Sequence, residues 1–304
     1  MYKYILIAWL LIGCPLLLSA QQESLYSQYM FNSLPINPAY AGSHEHLSAT
    51  VIARKQWLKI DGAPSTQTLS VHAPIYKSKM GLGLTAINDQ IGVTSNTGLY
   101  GAYAYRIKFK KSILALGLQV GFTNYVSRYS QLEVRTPNDP AFASDDVRFF
   151  LPNFGGGAYY YSDRYYIGFS VPHILDHLGN NTNVAHNALQ YQHYFLTAGY
   201  VFDLSPQLKL KPSTLIRAVE GAPIQADVNA TLMINDVLWI GLSYRTSTAL
   251  VFITQVMLTD QLSFGYAYDA ALNSIKTVSM ASHEVMLNYR FVYFRKNVVA
   301  PRYF

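Results

Sequence analysis

The sequence predicts an all-β fold: a transmembrane β-barrel of the outer-membrane type, with about fourteen antiparallel strands and both chain ends on the periplasmic side. Three observations predict it: short segments of strict alternation, a tyrosine-rich composition, and connections that alternate between tight and longer ones. Residues 261–270, QLSFGYAYDA, show the alternation best, with Leu262, Phe264, Tyr266 and Tyr268 on one side and small or polar residues on the other.

The composition is that of a strand-forming chain, with 50% hydrophobic and only 13% charged residues and with 25 Tyr and 15 Phe. Tyrosine in excess suits a membrane interface, where the ring meets acyl chains and the hydroxyl meets water. The net charge of +6 is scattered rather than gathered in a stripe, which excludes a typical nucleic-acid-binding protein.

Residues 1–20 have the features of an export signal: an early lysine, a long apolar run and Ser19-Ala20 before polar residues. An alternative interpretation is a lipid-attachment box ending at Cys14, but Pro15 and the apolar residues after it disfavour that. Because Cys14 is the only cysteine, the mature chain has neither disulfides nor thiolate metal sites. The predicted organisation is a signal peptide (1–20), an irregular segment (21–44), a transmembrane barrel (45–294) and a periplasmic tail (295–304).

The alternating segments have the length of tilted membrane strands. They are residues 45–60, 65–75, 79–88, 97–108, 111–126, 150–161, 164–172, 190–203, 206–219, 223–234, 237–246, 249–259, 261–270 and 281–294. One set of connections is tight throughout. The other set contains all the long ones, although three of its seven members are themselves short: 61–64, 89–96, 127–149, 173–189, 220–222, 247–248 and 271–280. Because outer-membrane barrels have short periplasmic turns, we expect the second set outside the cell.

Charged residues fall on the small-residue face of these segments. In 281–294, Glu284 and Arg290 oppose a face that carries Val285, Leu287 and Tyr289. A barrel of about fourteen strands is too wide for Gly, Ala and Ser to fill as a dry core, so this face should line a wet or occupied lumen. The aromatic face then contacts outer-membrane lipid, where Lys or Arg near mid-bilayer would cost about 2–4 kcal/mol. The alternative is a soluble secreted sandwich, which should have cleaner polar faces and fewer aromatic residues.

Catalytic and metal-binding patterns are weak. The pairs His44/His46 and His173/His177 lie outside the predicted strand cores and are more typical of surface groups than of metal ligands. Ser70 shares a strand face with His72, a coincidence expected in a serine-rich chain. We therefore expect no enzyme, no metal and no cofactor.

A short repeat is more informative. Asp61-Gly62-Ala63-Pro64 and Glu220-Gly221-Ala222-Pro223 both occupy predicted external connections. Gly relaxes a turn and Pro fixes the entry of the next strand, so two turns are the simpler interpretation. A shared docking rim is the alternative.

The mature start, Ser27-Gln28-Tyr29-Met30-Phe31-Asn32 and then Ile36-Asn37-Pro38-Ala39-Tyr40-Ala41-Gly42, resembles the opening of the PorP/SprF family of Bacteroidota type IX secretion membrane proteins. Further matching pieces follow in order: Arg54-x-Gln56-Trp57, Gly62-Ala63-Pro64-x-Thr66, Gly81-x-Gly83, Asn88-Asp89, Asp139-Pro140-x-Phe142, Gly168-Phe169-Ser170-Val171-Pro172-His173, Lys211-Pro212-Ser213 and Gly265-Tyr266-Ala267-Tyr268-Asp269.

The resemblance implies a monomeric, non-enzymatic outer-membrane barrel of the type IX secretion and gliding machinery. SprF-like members assist or anchor a secreted adhesin that carries a C-terminal sorting domain, whereas PorP-like members partner periplasmic components. We expect the SprF-like role. The matched positions and the two rim repeats supply the candidate partner-binding residues: Asn37, Pro38, Tyr40, Arg54, Trp57, Gly62, Ala63, Pro64, Gly221, Ala222 and Pro223.

Two further features bear on mechanism. The irregular segment before the first strand either plugs the lumen or docks a periplasmic partner. Trp57 is either an interface anchor or a docking contact. A diffusion or hydrophobic-solute channel of the same fold is the main alternative function, and a receptor for small ligands is a third.

Overall fold

The chain folds as one closed antiparallel sheet. The computed structural model describes residues 26–44, 46–75, 78–131, 146–175, 192–219, 222–279 and 281–291, so the predicted signal peptide and C-terminal tail lie outside the described residues. The strands are β1 (Leu47–Lys55), β2 (Ser65–Ile75), β3 (Met80–Ile91), β4 (Thr94–Lys108), β5 (Ile113–Ser127), β6 (Val147–Tyr161), β7 (Tyr165–Val171), β8 (His193–Tyr200), β9 (Phe202–Ser205), β10 (Leu208–Val219), β11 (Gln225–Ile234), β12 (Leu238–Arg245), β13 (Ala249–Met257), β14 (Leu262–Ala271) and β15 (Ala281–Phe291).

Fifteen labelled strands make a barrel of fourteen, because β8 and β9 together form one strand of the wall. This strand is interrupted only at Val201 and pairs with β10 along its length. Neighbours in sequence are neighbours in the sheet, and β1 pairs with β15 to close it, with Leu47 opposite Phe291. Closure leaves no sheet edge along this seam. Among the described residues, no helix is both long and apolar enough to cross a membrane.

The predicted strands are confirmed, with their ends moved by a few residues. Two differences are larger. The predicted long connection 89–96 is wrong, since β3 and β4 continue through it and leave only Gly92-Val93 between them. The polar run there pairs across the hairpin, with Asp89 opposite Asn96, and Asp89 accepts a 2.5 Å hydrogen bond from Thr66. Polar residues on the buried inner face of a strand have the composition of a loop, so the sequence alone did not identify this part of the hairpin as strand.

The second difference concerns the first strand, which ends at Lys55 rather than at residue 60. Trp57 and Lys59 have φ angles of 47° and 74°, in the left-handed region that an extended strand does not use. Trp57 therefore lies in the connection after β1 and not on the strand.

The sidedness predicted from the alternation is confirmed. In β14, Ser263, Gly265, Ala267 and Asp269 are buried, whereas Tyr268 is exposed. The same pattern holds in β15, where Glu284 and Met286 are buried and Val285 is exposed. The aromatic and aliphatic side chains of these strands therefore face outward, and the charged and small ones face the lumen.

The two ends of the barrel differ in their connections. We call the end that carries the connections 56–64, 92–93, 128–146, 172–192, 220–224, 246–248 and 272–280 the long-loop end, and the opposite end the short-turn end. At the short-turn end Asn235 and Asp236 both have positive φ angles, and Val237 donates its backbone N–H to the Ile234 carbonyl oxygen, as in a type I′ turn. The first residue of β1 and the last residue of β15 both lie at this end.

Candidate functional site

Residues 26–44, here called the luminal segment, lie inside the barrel. Most of them are buried, and their contacts reach strands on all sides of the wall, from β1 and β15 to β6, β7 and β11. The segment begins among residues near the long-loop end, descends through the lumen, and joins β1 at the short-turn end. The lumen, which the sequence predicted to be wet or occupied, therefore contains polypeptide.

A buried ion cluster holds the start of the segment. The Arg54 guanidinium lies 2.6 Å from Asp269 and 2.9 Å from Glu284, and it also donates to the Ser27 hydroxyl at 2.7 Å. The Glu284 carboxylate accepts from the backbone N–H groups of Ser27 and Gln28, both at 2.8 Å. These charge-assisted bonds, formed away from water, are the strong class of hydrogen bond.

A second ion pair extends this cluster along the wall. Arg245 donates to Asp227 at 3.1 Å and lies 3.4 Å from Asp269. Two guanidinium groups therefore face three carboxylates, all five buried. The sequence predicted charged residues on the face that lines the lumen, and in this part of the barrel five of them form one cluster.

The middle of the segment packs on rings and amides. The Tyr29 hydroxyl accepts from Asn229 at 2.6 Å, and Asn32 donates to Ser70 at 3.0 Å. The Phe31 ring lies edge-on to Trp239, at 5.7 Å between centroids. Such an aromatic pair contributes about 0.5–1.5 kcal/mol beyond the area it buries.

A buried lysine lies beside this region. The Lys211 ammonium stands 5.6 Å from the centroids of both the Trp239 and the Tyr166 rings, so aromatic faces surround this charge. Lys211 was matched in the sequence only as part of a family motif.

The end of the segment runs against glycines of the wall. A Cβ atom added to Gly117 would lie 2.1 Å from the Ala39 backbone nitrogen, and one added to Gly81 would lie 2.0 Å from the Ala41 carbonyl oxygen. Only glycine permits backbone to approach backbone so closely. Arg106 donates to the carbonyl oxygens of both Ala41 and Gly42.

The histidines near this end interact with one another. His44 stacks on His46 with ring centroids 5.5 Å apart, and its ring lies 4.8 Å from that of His72. In the described part of the chain no three His, Cys, Asp or Glu side chains are arranged to hold a metal ion. His177 lies outside the described residues. Ser70 and His72 do share the inner face, and each accepts a hydrogen bond from the luminal segment.

Four of the predicted partner-binding residues lie inside the barrel. Asn37 donates to the Ala158 carbonyl at 3.1 Å and caps the short 3-10 turn Pro38–Tyr40. Tyr40 packs on the Tyr159 ring, with the ring centroids 5.7 Å apart. Because these three residues and Arg54 are buried, a partner can contact them only if the luminal segment moves.

The other predicted residues are at the long-loop end, and the structure does not bring them together. Trp57 donates its backbone N–H to Ser282, and Gly62 accepts from Gly92. The connection that contains Gly62, Ala63 and Pro64 joins β1 to β2, whereas Ala222 and Pro223 join β10 to β11, on nearly the opposite side of the barrel. Gly221 lies outside the described residues. A single rim patch that uses both repeats is therefore not formed.

Sequence reasoning missed the ion cluster. Its charges carried one local signal, since each falls on the inner face of its strand close to the long-loop end of the barrel. Two of its pairs are directly opposed in the sheet, Arg54 with Glu284 and Asp227 with Arg245. The first of these pairs exists only because the first and last strands meet.

A closed fourteen-stranded antiparallel barrel with an apolar outer face and a polypeptide-filled lumen defines a membrane barrel of the outer-membrane type. Its sequence is matched over residues 18–289 by the family model described as type IX secretion system membrane protein PorP/SprF. The chain belongs to this family. Its family and fold are those of a secretion-system membrane barrel.

Solved structures support the fold. The chain is similar to the Ralstonia pickettii toluene transporter TbuX, with a TM-score of 0.52 and 10% identity over 87% of this chain and 93% of that one. It is also similar to the CymD monoaromatic hydrocarbon channel, with a TM-score of 0.50 and 12% identity over 88% and 94%. At such identities the likeness concerns the fold alone. No curated protein matches the sequence.

Proposed function

We propose that this barrel assists the secretion or surface anchoring of a partner adhesin, which it meets through the partner's C-terminal sorting domain. The observation that carries the proposal is membership of a type IX secretion family across nearly the whole chain. The barrel sits in the outer membrane with its aromatic face in lipid, and the long-loop end faces outward. It acts without catalysis or a cofactor, as a scaffold for a polypeptide.

The structure supports a polypeptide partner through what the lumen already contains. The inner wall binds peptide groups of the luminal segment with charged side chains, and it makes room for backbone with glycines. Partner contacts are also proposed at the long-loop end, at Trp57 and at the two Gly-Ala-Pro connections. Because those connections lie on opposite sides, each would contact a partner separately.

Affinity purification of the tagged full chain from native envelopes tests the proposal. We expect other components of the type IX machinery and a protein with a C-terminal sorting domain to co-purify. Deleting that domain from the captured protein should abolish capture, whereas a tagged unrelated outer-membrane barrel should capture neither. Recovery of the barrel alone, under conditions that keep the machinery intact, would contradict the proposal.

A channel for apolar solutes is the second candidate, and one observation favours it. The outer face of β1–β6 carries an apolar depression of about 780 Å³ that opens toward the membrane, and its lining includes Val71, Leu82, Leu84, Leu118 and Phe154. The two solved structures of similar fold are named as a toluene transporter and a monoaromatic hydrocarbon channel. Toluene uptake into vesicles that contain the pure barrel is compared with uptake into empty vesicles. A channel predicts faster uptake with the barrel, whereas an adhesin-assisting barrel predicts equal uptake.

A further inference from the structure

We infer that the lumen wall is a binding site for a polypeptide segment, and that the luminal segment, a run of turns with a 3-10 turn at Pro38–Tyr40, is a tethered occupant which another polypeptide displaces. This inference rests on the proposed function, since it names how a partner chain would enter the barrel. The evidence is that the wall forms hydrogen bonds with backbone N–H and carbonyl groups of the luminal segment.

The wall contacts the main chain of the segment at both ends and in the middle. Glu284 accepts the N–H groups of Ser27 and Gln28 at 2.8 Å, and Ser170 donates to the Ile36 carbonyl oxygen at 2.6 Å. Near the short-turn end, Arg106 donates to two successive carbonyl oxygens, while His72 accepts the Gly42 N–H at 3.1 Å. Peptide groups are common to every sequence, so these particular contacts do not depend on the side chains of the occupant.

Glycines on the wall approach the main chain of the segment as well. Gly81 and Gly117 face the backbone of Ala41 and Ala39 so closely that a Cβ atom at either position would overlap it. In peptide-binding proteins, hydrogen bonds to the main chain supply affinity and side-chain pockets supply specificity. Side chains of the segment are held as well: Ser27 donates to Asp269 at 2.8 Å, Tyr29 accepts from Asn229, and Phe31 packs on Trp239.

The attachment of the segment permits exchange. It continues into β1 at the short-turn end, whereas the contacts of residues 27 to 37 with the wall are all non-covalent. An incoming chain can therefore take over the Glu284 end first, while the segment stays tethered at its other end. Tethering gives the segment a high effective concentration, so a free polypeptide competes only when it is abundant or is itself held nearby.

A synthetic peptide with the sequence of residues 26–44, fluorescently labelled, tests the inference on the full chain. We expect it to bind the barrel by exchange with the tethered copy. In the peptide, Gln28→Ala keeps the N–H that Glu284 accepts, whereas Gln28→Pro removes it. Recognition of main chain predicts that the alanine peptide binds within about threefold of the parent and that the proline peptide binds at least about tenfold more weakly, the effect of losing a bond of about 1.4 kcal/mol or more.

A covalent lock gives a second, independent measurement. Asn32→Cys with Ser70→Cys puts two cysteines at positions whose side chains now meet at 3.0 Å, in a chain whose native cysteine lies in the predicted leader. The oxidised barrel should bind the labelled peptide at least about tenfold more weakly than the same barrel after reduction. The single variant Asn32→Cys, treated with the same oxidant, is the control: it has no second thiol on the wall to bond, so exchange should persist.

The outcomes separate the two proposals. Equal peptide binding by locked and reduced barrels, equal binding of the alanine and proline peptides, or no binding at all would each overturn the inference. Capture of type IX components by the same barrel would still stand in those cases. Peptide exchange without capture of type IX components would support the binding site in the lumen and contradict the proposed partner.

Discussion

Arg54 and Glu284 are 230 residues apart in the chain, and their side chains meet at 2.9 Å inside the barrel. They are opposite each other in the seam where β1 pairs with β15, so their contact is a direct consequence of closure. Both also contact Ser27 of the luminal segment. One cluster thus joins the closing seam of the barrel to the polypeptide that fills it.

We predict that Glu284→Gln destabilises the folded barrel. The change leaves Arg54 short of one counter-charge and weakens two bonds from backbone N–H groups, and breaking a buried pair on one side costs about 3–5 kcal/mol. Unfolding in urea, followed by the electrophoretic shift between folded and unfolded barrel, measures the loss. Arg164→Met is the control: Arg164 and Asp203 form an exposed pair, with side chains 62% and 43% accessible, and such pairs contribute about 0–1 kcal/mol.

The seam pair itself is tested by a double-mutant cycle. Arg54→Met and Glu284→Gln should give losses that are not additive, because each change removes the same interaction. We expect a coupling of about 0.5–3 kcal/mol. Strictly additive losses would show that the pair is not formed.

Gly117→Ala should displace the luminal segment while leaving the barrel closed. Its new methyl group would lie 2.1 Å from the Ala39 nitrogen, a backbone atom that can move only with the segment. Chymotrypsin should then cleave the segment at its tyrosines faster than in the parent. Gly101→Ala is the control, because there the nearest atom is 3.9 Å away and cleavage should not change. Equal resistance of both variants would contradict the position assigned to Ala39.

Trp239 provides an optical report on the same segment. Of the three tryptophans, Trp9 lies in the predicted leader, so Trp57→Phe in a chain beginning at Gln21 leaves Trp239 alone. In that background Phe31→Ala removes the edge-on ring, with a loss of about 0.5–1.5 kcal/mol for the ring pair. We expect red-shifted emission and stronger quenching by acrylamide. Tyr268→Phe, at an exposed position on the outer face, should leave both quantities unchanged.

Processing of the leader remains a prediction from sequence. Cleavage after Ala20 should give an envelope protein that begins at Gln21 and contains no thiol, since Cys14 is the only cysteine. Intact-mass measurement and maleimide labelling of the denatured protein check both points. An acylated N-terminal Cys14 would instead support the lipid-attachment alternative.

The alternation of residues along each strand was enough to predict the barrel wall. A strand places successive side chains on opposite faces, so the face of Tyr268 or Asp269 follows from its neighbours. The strand positions and count were predicted for the same reason. The connection 89–96 was mistaken because polar residues on the inner face of a strand, such as Asp89, have the composition of a loop, and only their partners across the hairpin identify them as sheet.

What the sequence by itself determined is therefore local: alternation with a period of two, the tight turns, and the choice of which side chains face outward. Tertiary structure alone decided that Arg54 meets Glu284 and that the polypeptide around Asn37 and Tyr40 fills the lumen. The physical reason is that barrel closure and packing inside the barrel join residues by geometry in three dimensions, and no periodic pattern along one strand records which distant residue will stand opposite.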